Sequence, residues 1–247
     1  MRYLVLTDIH ANLEALEAVL AAAPPDEVDD ILVLGDLVGY GADPNAVVDR
    51  VRGLAPRALI RGNHDKVASG LEEPEGFNAT ARAAVRWTHD TLTPANRQYV
   101  AGLPVGPVFV DSVVEGCHGT PYDEDEYMFE ELDALRSFEA MRRQVCLFGH
   151  THVPVVYSLT ADVLETEHTA GVAEMGVALR AEHRYLINPG SVGQPRDGDP
   201  RAAYGILDVA AKQMRLHRID YPIEVAQQKI LSAGLPPALA HRLALGR

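Results

Sequence analysis

Five short segments of this chain carry hard or borderline metal ligands: Asp8-Ile9-His10, Gly35-Asp36, Gly62-Asn63-His64-Asp65, Gly116-Cys117-His118-Gly119 and Gly149-His150-Thr151-His152. Most of them follow a β-branched or leucine-rich run of strand length. Open α/β sheets place their sites at the carboxyl ends of such strands, so a fold that satisfies this chain must gather several strand ends at one edge. A two-metal centre is the natural reading of what gathers there.

The rest of the chain is organised around these segments. Arg2 to Thr7 reads as a buried strand, and Asn12 to Ala22 as a helix with Leu13, Leu16, Val19 and Leu20 on one face and Asn12 as its cap. The unit repeats with a strand at Ile31 to Leu34, a helix at Asn45 to Leu54 and a third strand at Ala58 to Ile60. Such alternation predicts a parallel or mixed sheet with right-handed crossovers. From about 66 to 103 the strand rhythm stops, and helical stretches at Ala79 to Leu92 and Pro94 to Ala101 read as an insertion beside the site.

Strands resume at Val108 to Val110 and Val113 to Cys117, followed by an acidic loop, Tyr122 to Tyr127, that reads as a solvated face. A helix from about Phe129 to Arg142 and a buried strand at Val145 to Phe148 come next. Val153 to Leu159, Gly171 to Leu179, Arg184 to Asn188, Ala203 to Val209 and Gln213 to Asp220 read as strands without long helices between them, which predicts a second, largely antiparallel sheet. The Pro/Gly stretch between Asn188 and Pro200 is expected to join two strands of one sheet. Helices at about 223 to 245, broken at Gly234-Leu235-Pro236-Pro237, close the chain and offer a surface for an oligomer.

At 247 residues and 47% hydrophobic composition, the chain suits one generous α/β domain, residues 1 to 247. A formal charge of -13 lacks the basic excess that duplex nucleic acid or an anionic membrane requires. Met1 to Leu6 runs straight into Thr7-Asp8, with no room for a leader, and no apolar run reaches the roughly 18 residues of a spanning helix. The expectation is a cytoplasmic protein outside the membrane. Cys117 and Cys146 sit in apolar runs and are expected to be buried reduced thiols.

The ligand types discriminate further. Imidazole and carboxylate with an amide oxygen and no thiolate suit Mn, Fe, Zn or Ni, and disfavour a structural zinc site. Asp36 is well placed to bridge two ions, because one carboxylate can hold metals about 3.5 to 4 Å apart. Two divalent ions set against the carboxylates of Asp8 and Asp36 leave a net positive well for a phosphate even in an acidic protein.

The order Asp-x-His, Gly-Asp-x-x-Gly, Gly-Asn-His-Asp, a strand ending in His-Gly, and Gly-His-Thr-His resembles the calcineurin-like metallophosphoesterase superfamily, over nearly the whole chain through Asn188-Pro189-Gly190-Ser191. Compact size and this last segment are most similar to small phosphodiesterases of the YfcE type. The resemblance implies a four-layer α/β/β/α sandwich with two mixed sheets. It implies that Asp8, His10, Asp36 and His152 hold one divalent metal, and Asp36, Asn63, His118 and His150 the other. His64 would be the catalytic histidine, oriented by Asp65. The implied reaction is metal-dependent hydrolysis of phosphodiester, and also phosphomonoester, bonds by a metal-bridging hydroxide, with His64 assisting the leaving group.

Three further residues are candidates for substrate contact, each with a structural reading beside it. Asn12 touches substrate or caps its helix, Arg61 binds phosphate or an acidic neighbour, and Arg196 reaches a phosphate or lies on the surface. The run Leu37-Val38-Gly39-Tyr40-Gly41 after Asp36 lacks the Asp-Arg pair of protein serine/threonine phosphatases and symmetrical dinucleoside tetraphosphatases. The expected substrate is a small phosphoester, with nucleotide-derived molecules in the candidate class. Competing readings are a nucleotide or dinucleoside polyphosphate hydrolase, and an inactive scaffold that binds a protein partner. Filled ligand positions together with His64 favour an enzyme over the scaffold.

Overall fold

The computed structural model describes residues 1–24, 26–161, 163–169 and 171–247. It opens with β1 (Arg2–Leu6), α1 (Leu13–Ala22), β2 (Asp30–Leu34), α2 (Pro44–Leu54), β3 (Ala58–Ile60) and the short α3 (Asn63–Ala68). Two helices, α4 (Ala79–Thr91) and α5 (Pro94–Ala101), precede β4 (Val108–Phe109), β5 (Val114–Gly116), α6 (Glu131–Ala140) and β6 (Val145–Leu147). A run of strands follows: β7 (Val155–Thr160), β8 (Val163–His168), β9 (Glu174–Ala178), β10 (Arg184–Asn188), β11 (Ala202–Asp208) and β12 (Gln213–Ile219). The chain closes with α7 (Ile223–Ser232) and α8 (Pro237–Leu243). Among the described residues no helix is long and apolar enough to cross a membrane.

Local chemistry explains where the helices begin. Asn12, Asn78 and Thr93 each accept a bond from a first-turn N–H of the helix they precede. Such caps are worth about 1 kcal/mol each. Proline occupies the first turn of α2, α5 and α8, where its missing N–H costs nothing.

The strands form two six-stranded mixed sheets, ordered β3-β2-β1-β11-β12-β9 and β4-β5-β6-β10-β7-β8. Alternation along each strand sorts its side chains between layers. In β1, Tyr3 and Val5 pack between the sheets while Leu4 and Leu6 face the helices. Correspondingly, Val145 and Leu147 of β6 meet Tyr3 and Val5 across the inter-sheet core, and Cys146 turns outward to Phe138 of α6. The layers run helices, sheet, sheet, α6, which is the expected four-layer α/β/β/α sandwich.

Strand pairing differs from the sequence expectation. The late strands build no sheet of their own: β11 pairs antiparallel with β1 and brings β12 and β9 into the first sheet. Strands β10, β7 and β8 join β6 in the second. The Asn188 to Pro200 loop therefore crosses from one sheet to the other instead of joining strands of one. Periodicity reports that a strand is buried, but its free N–H and C=O edge can be satisfied by any strand that reaches it. Strand β8 has no signal in the sequence because its Glu165, Glu167 and His168 give no apolar alternation, as befits an edge.

Candidate metal centre

Within the first sheet β1, β2 and β3 run parallel, and within the second β5 and β6 do. Their carboxyl ends deliver Asp8, Asp36 and Asn63 from one side and His118 and His150 from the other. His10 and His152 sit in the turns just beyond. Asp8, His10, Asp36, His150 and His152 all have positive φ, between 50° and 67°. For residues with a Cβ this left-handed backbone costs about 1–2 kcal/mol each, and surrounding bonds must hold it. Those bonds are present: Asp8 N donates to Gly35 O, His10 N to Asp36 O, and Gly193 N to Asp8 O.

The side chains converge tightly. Asp8, His10, Asp36 and His152 form one group, and Asp36, His118 and His150 another, each with ligand atoms within 4.8 Å of one another. Asp36 Oδ2 joins the two, 3.4 Å from His10 Nε2 and 3.5 Å from His118 Nε2. Asn63 Oδ1 completes the second group at 3.4 Å from His118 Nε2. All seven residues that the family resemblance implies as ligands are therefore brought together.

Each imidazole is anchored through one nitrogen. His10 Nδ1 donates to Val38 O at 3.1 Å, His152 Nδ1 to Gln194 O at 2.6 Å, and His118 Nδ1 to Leu34 O at 2.8 Å. His150 is anchored the other way round, by Nε2 to Asp125 O at 3.2 Å. A carbonyl can only accept, so the anchored nitrogen carries the proton and the opposite one presents a lone pair. Lone pairs then face lone pairs: His10 and His152 Nε2 stand 3.0 Å apart, and His150 Nδ1 lies 3.1 Å from His118 Nε2. Buried acceptors aimed at one another are unfavourable unless a cation lies between them, and this nitrogen and oxygen donor set fits divalent Mn, Fe, Zn or Ni. The thiols stay outside it: Cys117 and Cys146 are buried and free, their sulfurs 3.7 Å apart.

The electrostatics make the same demand. Burial, joined by the charge of Asp36, pushes Asp8 up to about 7. Burial opposes a charge on His118, yet Asp36 and Asp8 overcome it and raise its pKa to about 10. Positive charge is wanted where the lone pairs meet, and a proton on His118 answers part of that demand.

The remaining candidates fare differently. His64 is buried, with its ring 4.3 Å from Tyr40, 4.6 Å from Phe77 and 4.9 Å from His10. A Cβ on Gly39 would fall 2.4 Å from His64 Nδ1, so only glycine fits there, and it also takes φ 92°. Asp65 was expected to orient His64, but its carboxylate accepts the N–H groups of Leu37, Val38 and Gly62 instead. His64 Nδ1 is buried without a partner among the described residues. Asp65 lies inside the first turn of α3, pointing its carboxylate back at the β2 loop; it positions the loop that carries Asp36 and Val38.

Asn12, a candidate for substrate, has both ends of its amide engaged, Oδ1 by Ala15 N and Nδ2 by Gly193 O. Arg61, likewise a candidate for phosphate, makes a two-pronged pair with Glu124 at 2.7 and 3.0 Å. Both take the structural role, because the partner that claims each lies close by in space or sequence. Arg196 lies beside the centre, with Nη2 on Gln194 Oε1 and, among the described residues, no carboxylate in ion-pair range.

Several contributors had no sequence signal. The carbonyls of Leu34, Val38, Asp125 and Gln194 orient the imidazoles, and a carbonyl belongs to every residue type. The acidic loop is more than a solvated face: Asp125 O anchors His150, Tyr127 stacks on that imidazole at 3.8 Å, and Asp125 and Glu124 pair with Lys66. Its place directly after His118-Gly119 was the available clue. Asn188 and Ser191 also prove structural, Asn188 holding Gly149 O and Thr151 Oγ1 and Ser191 holding Asp8 O.

The sequence profile of the calcineurin-like phosphoesterase superfamily domain matches residues 1–212. The chain is 35% identical over 251 residues to the uncharacterized protein MJ0912 of Methanocaldococcus jannaschii, covering 98% of this chain and 97% of that one. It is 28% identical over 220 residues to the phosphodiesterase YfcE of Escherichia coli, covering 84% and 88%. Among solved structures, a metallophosphoesterase from Sphaerobacter thermophilus superposes over 100% of both chains with a TM-score of 0.87 and 40% identity.

Proposed function

The chain belongs to the calcineurin-like phosphoesterase superfamily, in its YfcE-like branch, and from that premise we propose that it is a binuclear metal-dependent phosphodiesterase. The observation that carries this is the set of buried lone pairs converging on both sides of Asp36. Asp8, His10, Asp36 and His152 would hold one ion, and Asp36, Asn63, His118 and His150 the other. When bound, two divalent ions supply a water of lowered pKa as the nucleophile and neutralise the phosphate oxygens.

The protein's own groups do the rest. The carbonyl anchors keep each imidazole in one tautomer and one orientation, so no reorganisation is needed as charge develops. Burial, against the pull of Asp36, brings His64 down to about 4, so it is a neutral imidazole at pH 7. Its N–H then serves the departing oxygen by hydrogen bonding as the P–O bond breaks. Tyr40 and Phe77 hold that ring in place in the role first expected of Asp65. Of the two candidate arginines, Arg61 is paired with Glu124 while Arg196 has no carboxylate in ion-pair range among the described residues, and Arg196 is the one assigned to substrate.

Purified protein supplied with Mn²⁺ is expected to hydrolyse bis(p-nitrophenyl) phosphate, to lose activity on chelation and to regain it on readdition of metal. Elemental analysis should find two metals per chain. Failure to hydrolyse the diester with any of Mn, Fe, Zn or Ni would sink the phosphodiesterase reading, and a single tightly held ion in the active protein would sink the binuclear one.

A further inference from the structure

Beside the candidate metal centre two guanidinium groups meet over one aromatic ring. Tyr40, buried and with φ 62°, packs its ring 4.7 Å from that of His10 and 4.3 Å from that of His64. Two guanidinium groups share the same ring: Arg196 Cζ lies 5.6 Å and Arg242 Cζ 5.8 Å from its centroid. Among the described residues neither has an Asp or Glu carboxylate in ion-pair range. The acids nearest Arg196 in sequence, Asp197 and Asp199, are taken by Arg218 and Arg201. Among the described residues Arg196 Nε is buried without a partner, and Arg242 spends Nε on the terminal carboxyl group of Arg247, which leaves its two Nη groups for another acceptor.

Two partly buried like charges around one ring repel each other, and burial together with the Arg196 charge lowers the pKa of Arg242. Although the chain has 35 acidic residues against 22 basic ones, no Asp or Glu among the described residues is placed beside this pair, and the Arg247 carboxyl group engages only the Nε edge of Arg242. Space is provided instead: an open cavity of about 530 Å³ is lined by Tyr40, Arg242, Ala238 and the first turn of α4, Ala79 to Ala81. N–H groups of a helix's first turn lack intrahelical partners and add to the positive potential. Planar guanidinium groups match the oxygens of a phosphate two at a time.

We propose that Arg196 and Arg242, clasping Tyr40, form an anion subsite for a second phosphate of the substrate, so that the preferred phosphodiester carries a terminal phosphomonoester on one of its alcohol arms. The scissile phosphate would lie at the metal centre and the second beyond the Tyr40 ring, whose centroid is 4.7 Å from that of His10 and 5.6 and 5.8 Å from the two guanidinium carbons. This assignment rests on the phosphodiesterase reading for the reaction, and on the arginine pair for the anion.

The test compares two substrates: thymidine 5′-(p-nitrophenyl phosphate) and the same diester bearing a 3′-phosphate. In the wild-type protein kcat/KM is expected to favour the phosphorylated diester by roughly tenfold, the scale of a charge-assisted contact. The difference should fall in KM, since the distal phosphate is held equally in ground and transition states. R242A should bring the ratio close to one, and R242K should recover part of it by restoring charge without the planar fork. No preference in the wild type, or a preference that survives in both variants, overturns the proposal. Should the wild type hydrolyse neither diester, the phosphodiesterase reading fails and calorimetry decides the subsite. Thymidine 3′,5′-bisphosphate should then bind the wild type roughly tenfold more tightly than thymidine 5′-phosphate, with the difference lost in R242A. Equal affinities in the wild type would overturn it.

Discussion

The two halves of the candidate metal centre each set two imidazoles around the shared Asp36 but are supported differently. His10 and His152 lean on Val38 O and Gln194 O, both in buried loops, and Asp8 is braced by Thr7 Oγ1 and His150 N. In the other half His118 leans on the buried Leu34 O, but His150 leans on Asp125 O, in a loop whose Asp125 side chain is 48% exposed. That half also opens on a cavity of about 250 Å³ lined by Asn63, Lys66, Asp125, Tyr127 and His150. One half is rooted in the packed interior; the other is rooted partly in a surface loop that also walls a cavity. The difference teaches that one cluster can be anchored to packed main chain on one flank and to a loop beside a cavity on the other.

The largest effect should come from erasing what the halves share. Asp36→Asn is expected to lower metal content from two ions to less than one and to cut turnover on the order of 10³-fold or more, since it removes the charge common to both sites. Elemental analysis beside steady-state rates checks it, and full occupancy in the variant would break the idea of a shared carboxylate. Next, His152→Ala and His150→Ala should separate the halves. Each should lose one ion, but only His152→Ala should also lower the thermal midpoint of the metal-loaded protein markedly, because its half lies in the packed interior. Equal midpoints would erase the comparison.

His64→Ala should retain both ions and lose on the order of 10²-fold in turnover of an alkyl diester. An unchanged rate on that substrate would remove His64 from the reaction. Glu124→Gln gives the smallest effect. It frees Arg61, loosens the loop under His150 and should weaken Mn²⁺ binding in the open half by about tenfold, a scale typical of outer-shell changes. Titration calorimetry that showed both ions equally weakened would contradict the division.

The same substitution carries a pH signature. Burial opposes ionisation of Glu124, but the hydrogen bond and charge of Arg61 and the charge of Lys66 outweigh it and depress the pKa. A depressed carboxyl contributes stability above its unfolded pKa, here 4.5, and loses that contribution as pH falls through the folded value. Wild-type protein should therefore lose thermal midpoint more steeply below about pH 4.5 than the variant does. Parallel profiles would show that the pair contributes nothing to the folded loop.

Much of this was legible along the chain. The ligand segments, the opening strand–helix units and the α5 span from Pro94 to Ala101 follow from local periodicity, caps and side-chain type, which act over a few residues. The hold of Asp65 on the loop after β2 is not legible, because adjacency to His64 in sequence says nothing about where a carboxylate in a helical first turn points. Arg61 and Asn12 were left with two readings because the deciding partners, Glu124 and Gly193, lie far along the chain.

By itself, then, the sequence determined which residues can bind metal, that they follow strands, and that the layers alternate, since donor chemistry and apolar period are properties of short stretches. Only the tertiary structure decided that β11 pairs with β1, that Asp36 stands between two sets of lone pairs, and that Arg196 and Arg242 meet over Tyr40. Those depend on which distant backbone groups arrive at the same place, and hydrogen-bonding edges and carbonyls are alike in every residue until the fold selects among them.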